Sequence, residues 1–181
     1  VTDAVPSATR LLRDIGITDI SHVPEWALER GRHVHRALEF FDQGDLDEDS
    51  VVEEFRGYVE SWKRFRTAHD PEIVRVEHRF ESPLWRVSAR PDVVCRMQGA
   101  LWVIERKVGG PAPWHALQTA IQRLAMEGIQ DVEVPTRRGA VYLEDDNQGK
   151  LREHTNPRDR DVVLALLTVW RWKHGNGVDQ S

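Results

Sequence analysis

Asp92, Glu105 and Lys107 are the residues whose types and spacing most readily do chemistry in this chain. They lie within R-P-D-V-V-C-R-M-Q-G-A-L-W-V-I-E-R-K, residues 90–107. Two runs rich in β-branched and aromatic side chains flank Gln98-Gly99, which reads as a two-residue hairpin turn with Gly supplying a positive φ. Such a loop puts Met97 opposite Ala100, Cys95 opposite Trp102, Val93 opposite Ile104 and Asp92 opposite Glu105. Alternation then sends Val93, Cys95, Met97, Trp102 and Ile104 to one apolar face, and Asp92, Glu105 and Lys107 to the other. Carboxylates directly opposed in a sheet repel, and a cation between them relieves the repulsion. Phosphodiester hydrolysis needs such a cation to neutralise the non-bridging oxygens and activate water. Mg²⁺ keeps some of its waters, so one or two carboxylates suffice, and a neighbouring lysine can orient the attacking water or stabilise developing charge. A surface strand with a Glu–Lys pair has the same spacing; the facing Asp is what favours the chemical reading.

His35 lies four residues after Gly31 at the edge of a helical apolar stripe, so Gly31 leaves room beside its ring. Imidazole suits Mn²⁺-like ions better than Mg²⁺. As one of eight histidines, His35 taken alone reads more readily as a packed or surface residue than as a ligand. Gln118 and Gln122 sit one turn apart on the helix that follows Lys107. Two such amides can bond a phosphate or a carboxylate, or form a solvated ridge, and by themselves they read as the ridge. Glu77 shares the sheet face of Asp92 or makes a surface ion pair with an arginine, the plainer expectation. The arginines, among them Arg32, Arg90, Arg106 and Arg123, suit phosphate contacts but read mostly as surface charge. The tryptophans fall mainly on buried stripes, except Trp114, which is placed to touch DNA.

The elements that must position these groups follow from periodicity. Ser7 caps a short helix through Leu11, Leu12 and Arg13, which Gly16 stops. Pro24 opens a helix from Glu25 to Phe41, its stripe formed by Ala27, Gly31, Val34, Leu38 and Phe41. An acidic run follows, with Asp42, Asp45, Asp47, Glu48, Asp49, Glu53 and Glu54 and no Lys or Arg. It reads as a helix breaker that offers Asp49 or Ser50 as a cap and suits a helix dipole. The next helix spans Val51 to Thr67, with Val52, Phe55, Val59 and Trp62 inward. Ile73 to Glu81 reads as a strand, Ser82-Pro83 as a turn, and Trp85 to Ala89 as a strand continuing through Asp92. Gly109-Gly110-Pro111 ends the Glu105 strand, and Trp114 to Met126 is a helix burying Leu117, Ala120, Ile121 and Leu124. Ala140 to Glu144 is a strand, Asp145-Asp146-Asn147 a turn, and a short strand lies near Leu151. Asn156 or Asp159 opens a last helix, Val162 to Trp172. The order implies a mixed sheet flanked by helices, with a lead-in at 1–24, one domain at 25–174 and a flexible tail at 175–181.

At 181 residues the chain can bury one sizeable core. Its one cysteine, Cys95, excludes an intrachain disulfide framework and a four-cysteine metal site. No apolar run has the length of a membrane span and no secretory leader is recognised, so the expected location is cytoplasmic. The net charge of −5 argues mildly against nucleic acid, but outside the acidic run the chain has a slight basic excess.

In order, these pieces resemble the PD-(D/E)xK nuclease superfamily, in particular its RecB-like exonuclease branch. The residues that carry the resemblance are Gly31-Arg32-His33-Val34-His35, Arg90-Pro91-Asp92, Glu105-Arg106-Lys107 and Gln118-Thr119-Ala120-Ile121-Gln122. It covers about residues 25–127 and implies a restriction-endonuclease-like αβββαβ core within an α/β (α+β) fold. By resemblance, His35, Asp92, Glu105 and the carbonyl of Arg106 hold Mg²⁺ or Mn²⁺, Lys107 positions the nucleophilic water, and Gln118 helps orient the phosphate or the active-site groups. Glu77 matches an acidic residue of the first core strand, Gln122 replaces the usual Tyr, and the cysteines of an iron–sulfur cluster are absent. The implied activity is a metal-dependent deoxyribonuclease acting on linear or single-stranded DNA ends in recombination, repair or phage DNA processing, with or without a recombination partner. A structure-specific endonuclease and a catalytically silent DNA-binding module on the same fold are the alternatives. Arg32, Arg90 and Trp114 are the expected DNA contacts.

Overall fold

A computed structural model describes residues 5–19, 21, 23–144 and 148–175. The expected turn at Asp145-Asp146-Asn147 and tail residues 176–181 lie outside the described residues. The first element is α1 (Ala8–Asp14), whose N-cap Ser7 accepts from the Arg10 N–H. Then come α2 (Glu25–Gln43) and α3 (Glu53–His69). Five strands follow: β1 (Glu72–Val76), β2 (Phe80–Ser82), β3 (Val87–Ala89), β4 (Val93–Met97) and β5 (Ala100–Val108). The chain closes with α4 (Trp114–Leu124), β6 (Arg137–Leu143), β7 (Lys150–Glu153) and α5 (Arg158–Gly175). No described helix is long and apolar enough to cross a membrane.

The main sheet has the order β1-β4-β5-β6-β7. It is mixed, because β5 and β6 run parallel while the other neighbours are antiparallel. The parallel pair requires a crossover, and α4 supplies it. The β4–β5 hairpin has the expected register, Met97 facing Ala100, Cys95 facing Trp102 and Val93 facing Ile104. Gln98 and Gly99 both take positive φ, 53° and 72°, the turn that matches strand twist. The ladder ends at the Val93–Ile104 pair, and Asp92 continues it through a side-chain bond to the Arg106 N–H.

Helices cover both faces of the sheet. Val93, Cys95, Met97, Trp102 and Ile104 pack with Val34, Leu38, Val59, Trp62 and Phe65 of α2 and α3. On the opposite face Val94 and Leu101 join α1, α4, α5 and the β2–β3 ribbon. α4 buries Ala120, Ile121 and Leu124 of its expected stripe, with Leu117 partly buried beside them.

Four expectations need correction. Ile73 to Glu81 is two strands, because Glu77 takes φ 47° and the chain leaves the main sheet after Val76. Trp85 and Arg86 lie in a turn, and Val87–Ala89 pairs with β2 in a separate two-stranded sheet rather than running on into β4. Val52 is exposed, since the chain is extended there and the helix begins at Glu53; Val51 is the buried neighbour. Trp26 and Trp172 are also exposed, while Trp62, Trp102 and Trp170 are buried.

Candidate active site

Three ligand atoms, one each from His35, Glu77 and Asp92, lie within 4.8 Å of one another, the one such group among the described residues. Helix α2 supplies His35, the residue after β1 supplies Glu77, and the residue before β4 supplies Asp92. The antiparallel β1–β4 pairing makes Glu77 and Asp92 neighbours, and the Glu77 N–H donates to the Asp92 carbonyl at 3.0 Å. The positive φ at Glu77, which breaks the strand, also sets where its carboxylate goes.

The electrostatics follow from crowding two acids in a partly dry place. Burial, and then the Asp92 carboxylate, push Glu77 up to about 8. Burial also acts to raise Asp92. His35 beside it outweighs that, helped by Arg106 and Lys107, and holds Asp92 well below the usual carboxylate range. His35 Nδ1 sits 3.4 Å from Asp92 Oδ1, and Asp92 raises the imidazole pKa against the effect of burial. The Arg106 N–H donates to Asp92 Oδ2 at 2.6 Å, which fixes the carboxylate and leaves Oδ1 turned to His35. One imidazole nitrogen with two carboxylate oxygens is a donor set that suits Mn²⁺ or Mg²⁺, and a cation there relieves the Glu77–Asp92 repulsion.

Glu105 is not part of that group of three. Its Oε1 accepts from Gln118 Nε2 at 2.5 Å and from Lys107 Nζ at 3.0 Å, and its Oε2 accepts from Gln122 Nε2 at 2.5 Å. Lys107 also donates to Gln118 Oε1 at 2.8 Å. The two glutamines therefore form no solvated ridge. They are the donors of a buried carboxylate, and Gln122 is fully buried. Alternation explains the grouping: Glu105 and Lys107 share the face of β5 on which α4 packs, and the i, i+4 spacing brings both amides to one side of that helix.

On the other face Arg106 points into the core and is fully buried, as Arg138 nearly is on the α4 side, so neither is surface charge. Arg106 Nη1 donates to Asp42 Oδ2 at 2.7 Å, and the side chain comes within 3.5 Å of Glu77 and 3.9 Å of Asp92. Asp42 also accepts from Trp62 Nε1 and Arg66 Nη1. Sequence reading missed this residue because it sits at the head of an acidic run. The available signal was its place on α2, one residue beyond the apolar Phe40-Phe41 pair.

The expected DNA contacts have separate surroundings. Arg90 is exposed, donates to the Glu77 carbonyl and pairs with the Glu77 carboxylate at 3.1 Å, as the ion-pair expectation for Glu77 required. Arg32 is exposed and lies 3.9 Å from Glu29. Trp114 is half-buried, with Lys107 Nζ 5.2 Å from its ring centre. His33 stacks on Phe55 and plays no part in the cluster. A cavity of about 490 Å³, lined among others by Glu77, Arg79, Arg90, Gln118 and Gln122, adjoins these groups.

No family model and no curated protein matches the chain. Among solved structures it is similar to SSO0001, at 17% identity and a TM-score of 0.41, over 87% of this chain and 82% of that one. It is also similar to an alkaline exonuclease from Laribacter hongkongensis, at 15% identity and a TM-score of 0.43, over 99% of this chain and 96% of that one. These likenesses are faint, and the geometry of the site carries the functional reading.

Proposed function

We propose that this chain hydrolyses phosphodiester bonds in DNA with the help of Mg²⁺ or Mn²⁺, as an exonuclease on linear or single-stranded ends. The observation that supports this most is the convergence of His35, Glu77 and Asp92 next to a lysine held by Glu105 and Gln118. His35, Glu77 and Asp92 would hold the ion, with Glu105 and the Arg106 carbonyl at its margin. When bound, the ion would neutralise the phosphate and lower the pKa of the attacking water. Lys107, anchored at two points, directs a water toward the phosphorus and stabilises charge on the phosphate oxygens. Gln118 and Gln122 keep Glu105 from rotating, which holds Lys107 in place. Arg90 and Arg32 are positioned for backbone phosphates and Trp114 for a base or sugar. Such an activity belongs to recombination, repair or phage DNA processing, beside a partner that handles the resulting strand.

The test is release of acid-soluble nucleotides from linear DNA, with covalently closed circles as control. Release that requires Mn²⁺ or Mg²⁺ and spares the circles is expected. Asp92→Asn and Lys107→Ala should each lower kcat by about 10²-fold or more, with Lys107→Ala leaving Mn²⁺ binding intact by calorimetry. Wild-type rates in either variant would overturn the mechanism, and nicking of circles would replace exonuclease by endonuclease.

A further inference from the structure

Arg106 stands between Glu105 and Lys107, so alternation turns its side chain away from both and onto the Trp102 and Ile104 face of β5. That face is otherwise packed by apolar groups, and the guanidinium on it is fully buried. A charge so placed costs stability unless acids offset it. Asp42 explains only part of the arrangement. Arg106 Nη1 donates to Asp42 Oδ2 at 2.7 Å, but Asp42 Oδ1 accepts from Arg66 Nη1 at 3.0 Å, so that carboxylate already has a second cation.

The other two nitrogens form no hydrogen bond and lie against the candidate cation centre instead. Nη2 is 3.5 Å from Glu77 Oε1, and Nε is 3.9 Å from Asp92 Oδ2. His35 Nδ1 approaches the opposite oxygen of Asp92, Oδ1, at 3.4 Å. Asp92 thus has one oxygen open toward His35 and one closed by the Arg106 N–H and guanidinium. A fixed positive charge beside two acids, off hydrogen-bonding geometry, acts on them through its field, as a bound ion does.

Phosphodiester hydrolysis with two ions sets them about 3.5–4 Å apart, and a second ion at that distance needs carboxylates beyond those of the first. Among the described residues, His35, Glu77 and Asp92 are the one group of three that could hold a metal. Glu105 accepts three side-chain hydrogen bonds and Asp42 another three, which leaves neither free to bridge to a second ion. Charge balance points the same way. One divalent ion offsets Glu77 and Asp92, whereas a second would add two uncompensated charges beside a buried guanidinium. We infer that this centre takes a single divalent ion, and that the Arg106 guanidinium stands in for a second as a permanent cation shared by Asp42, Glu77 and Asp92. Arg106 is then a positioning residue, acting on the substrate only through the acids it faces. This builds on the proposed cation centre at His35, Glu77 and Asp92 and adds how many ions it holds.

The experiment counts Mn²⁺ bound to the full chain by calorimetry and electron paramagnetic resonance, in the wild type, Asp92→Asn and Arg106→Ala. The wild type should bind one Mn²⁺ with the spectrum of an isolated ion, and Asp92→Asn should lose it. Arg106→Ala opens a space ringed by Asp42, Glu77 and Asp92. It should bind two spin-coupled Mn²⁺, and Mn²⁺ should raise its Tm well beyond the rise in the wild type. Two Asp92-dependent ions in the wild type would overturn the inference and leave the cation centre standing. So would a folded Arg106→Ala that binds one ion and gains no more from Mn²⁺ than the wild type, since the guanidinium would then serve packing alone. Absence of any Asp92-dependent ion would remove the cation centre and the inference with it. The wild-type count decides the matter even where Arg106→Ala fails to fold in Mn²⁺.

Discussion

Two buried carboxylate centres flank strand β5, and they are completed in opposite ways. On the α2–α3 face, Asp42 has a fully buried carboxylate that accepts from Trp62, Arg66 and Arg106. Every donor is a side chain packed in place, two of them cationic, and Arg106 is itself fully buried over the Trp62 ring. At the sheet end, Glu77 and Asp92 face each other and His35, the exposed Arg90 pairs with Glu77, and the buried cation is off hydrogen-bonding geometry: Arg106 Nε and Nη2 find no hydrogen-bond partner. A carboxylate whose lone pairs are all taken by fixed donors serves the fold, whereas acids left short of donors are available to a ligand. Arg106 joins the two, its side chain committed to Asp42 while its N–H fixes Asp92.

The largest expected effect outside the chemistry itself comes from breaking the closed centre. Asp42→Ala leaves Arg106 buried without its one hydrogen-bonded acid, which should cost about 3–5 kcal/mol, equivalent to roughly 10 °C in Tm for a chain of this size. Asp42→Asn, which keeps an acceptor, should cost less. Both are read by chemical denaturation. A loss below about 1 kcal/mol in Asp42→Ala would mean the pair is not what closes that face.

The α4 face differs again, because its polar groups are mostly neutral. His115 contacts Tyr142 Oη at 2.8 Å and His154 contacts Thr119 Oγ1 at 2.9 Å. Burial, followed by Lys107 and His154, lowers His115 to about 3, and burial, followed by Arg138 and Arg152, lowers His154 to about 4. Both imidazoles are neutral in the fold and bind protons more readily once unfolded, near the ordinary value of 6.5. Their contribution to stability is therefore complete above about pH 6.5 and is lost as pH falls toward the folded values. For the well-buried His115 the loss between pH 7 and pH 5 should be about 2 kcal/mol. Glu77 and His35, whose values are raised, act in the opposite direction, so the check compares urea midpoints of the wild type and His115→Gln; a stability difference between the two that is the same at pH 7 and pH 5 would contradict this.

The smallest effect is expected at the amides that hold Glu105. Gln122→Ala frees Glu105 Oε2 while Gln118 and Lys107 still hold Oε1. Nuclease turnover should fall by roughly tenfold, with Mn²⁺ affinity at His35, Glu77 and Asp92 little changed. Loss of Mn²⁺ binding in this variant would place Glu105 within the cation's ligand set and redraw the open centre.

What could be read before the structure was local. The Gln98-Gly99 turn sets its own register, since turn chemistry and the two-residue side-chain period are properties of neighbours. The α4 stripe and the Ser7 cap were legible for the same reason. The strand expected from Ile73 to Glu81 failed because nothing in V-E-H-R-F announces a left-handed Glu77. That conformation is sustained by the β1–β4 pairing and by Arg90, which donates to the Glu77 carbonyl. Val52 failed by a single residue, since hydropathy does not say where an extended segment becomes a helix.

Residue types and order determined by themselves that His35, Asp92, Glu105, Lys107, Gln118 and Gln122 belong to elements of a mixed sheet with helices on it. Tertiary structure alone decided which acids were closed and which stayed open. Asp42 reads as one member of an acidic run until Arg106, 64 residues away, is packed against it. Glu77 reads as a surface partner for an arginine until the β1–β4 pairing sets it beside Asp92. The cost of a buried carboxylate depends on the donors that reach it, and those donors arrive from distant parts of the chain only when it folds.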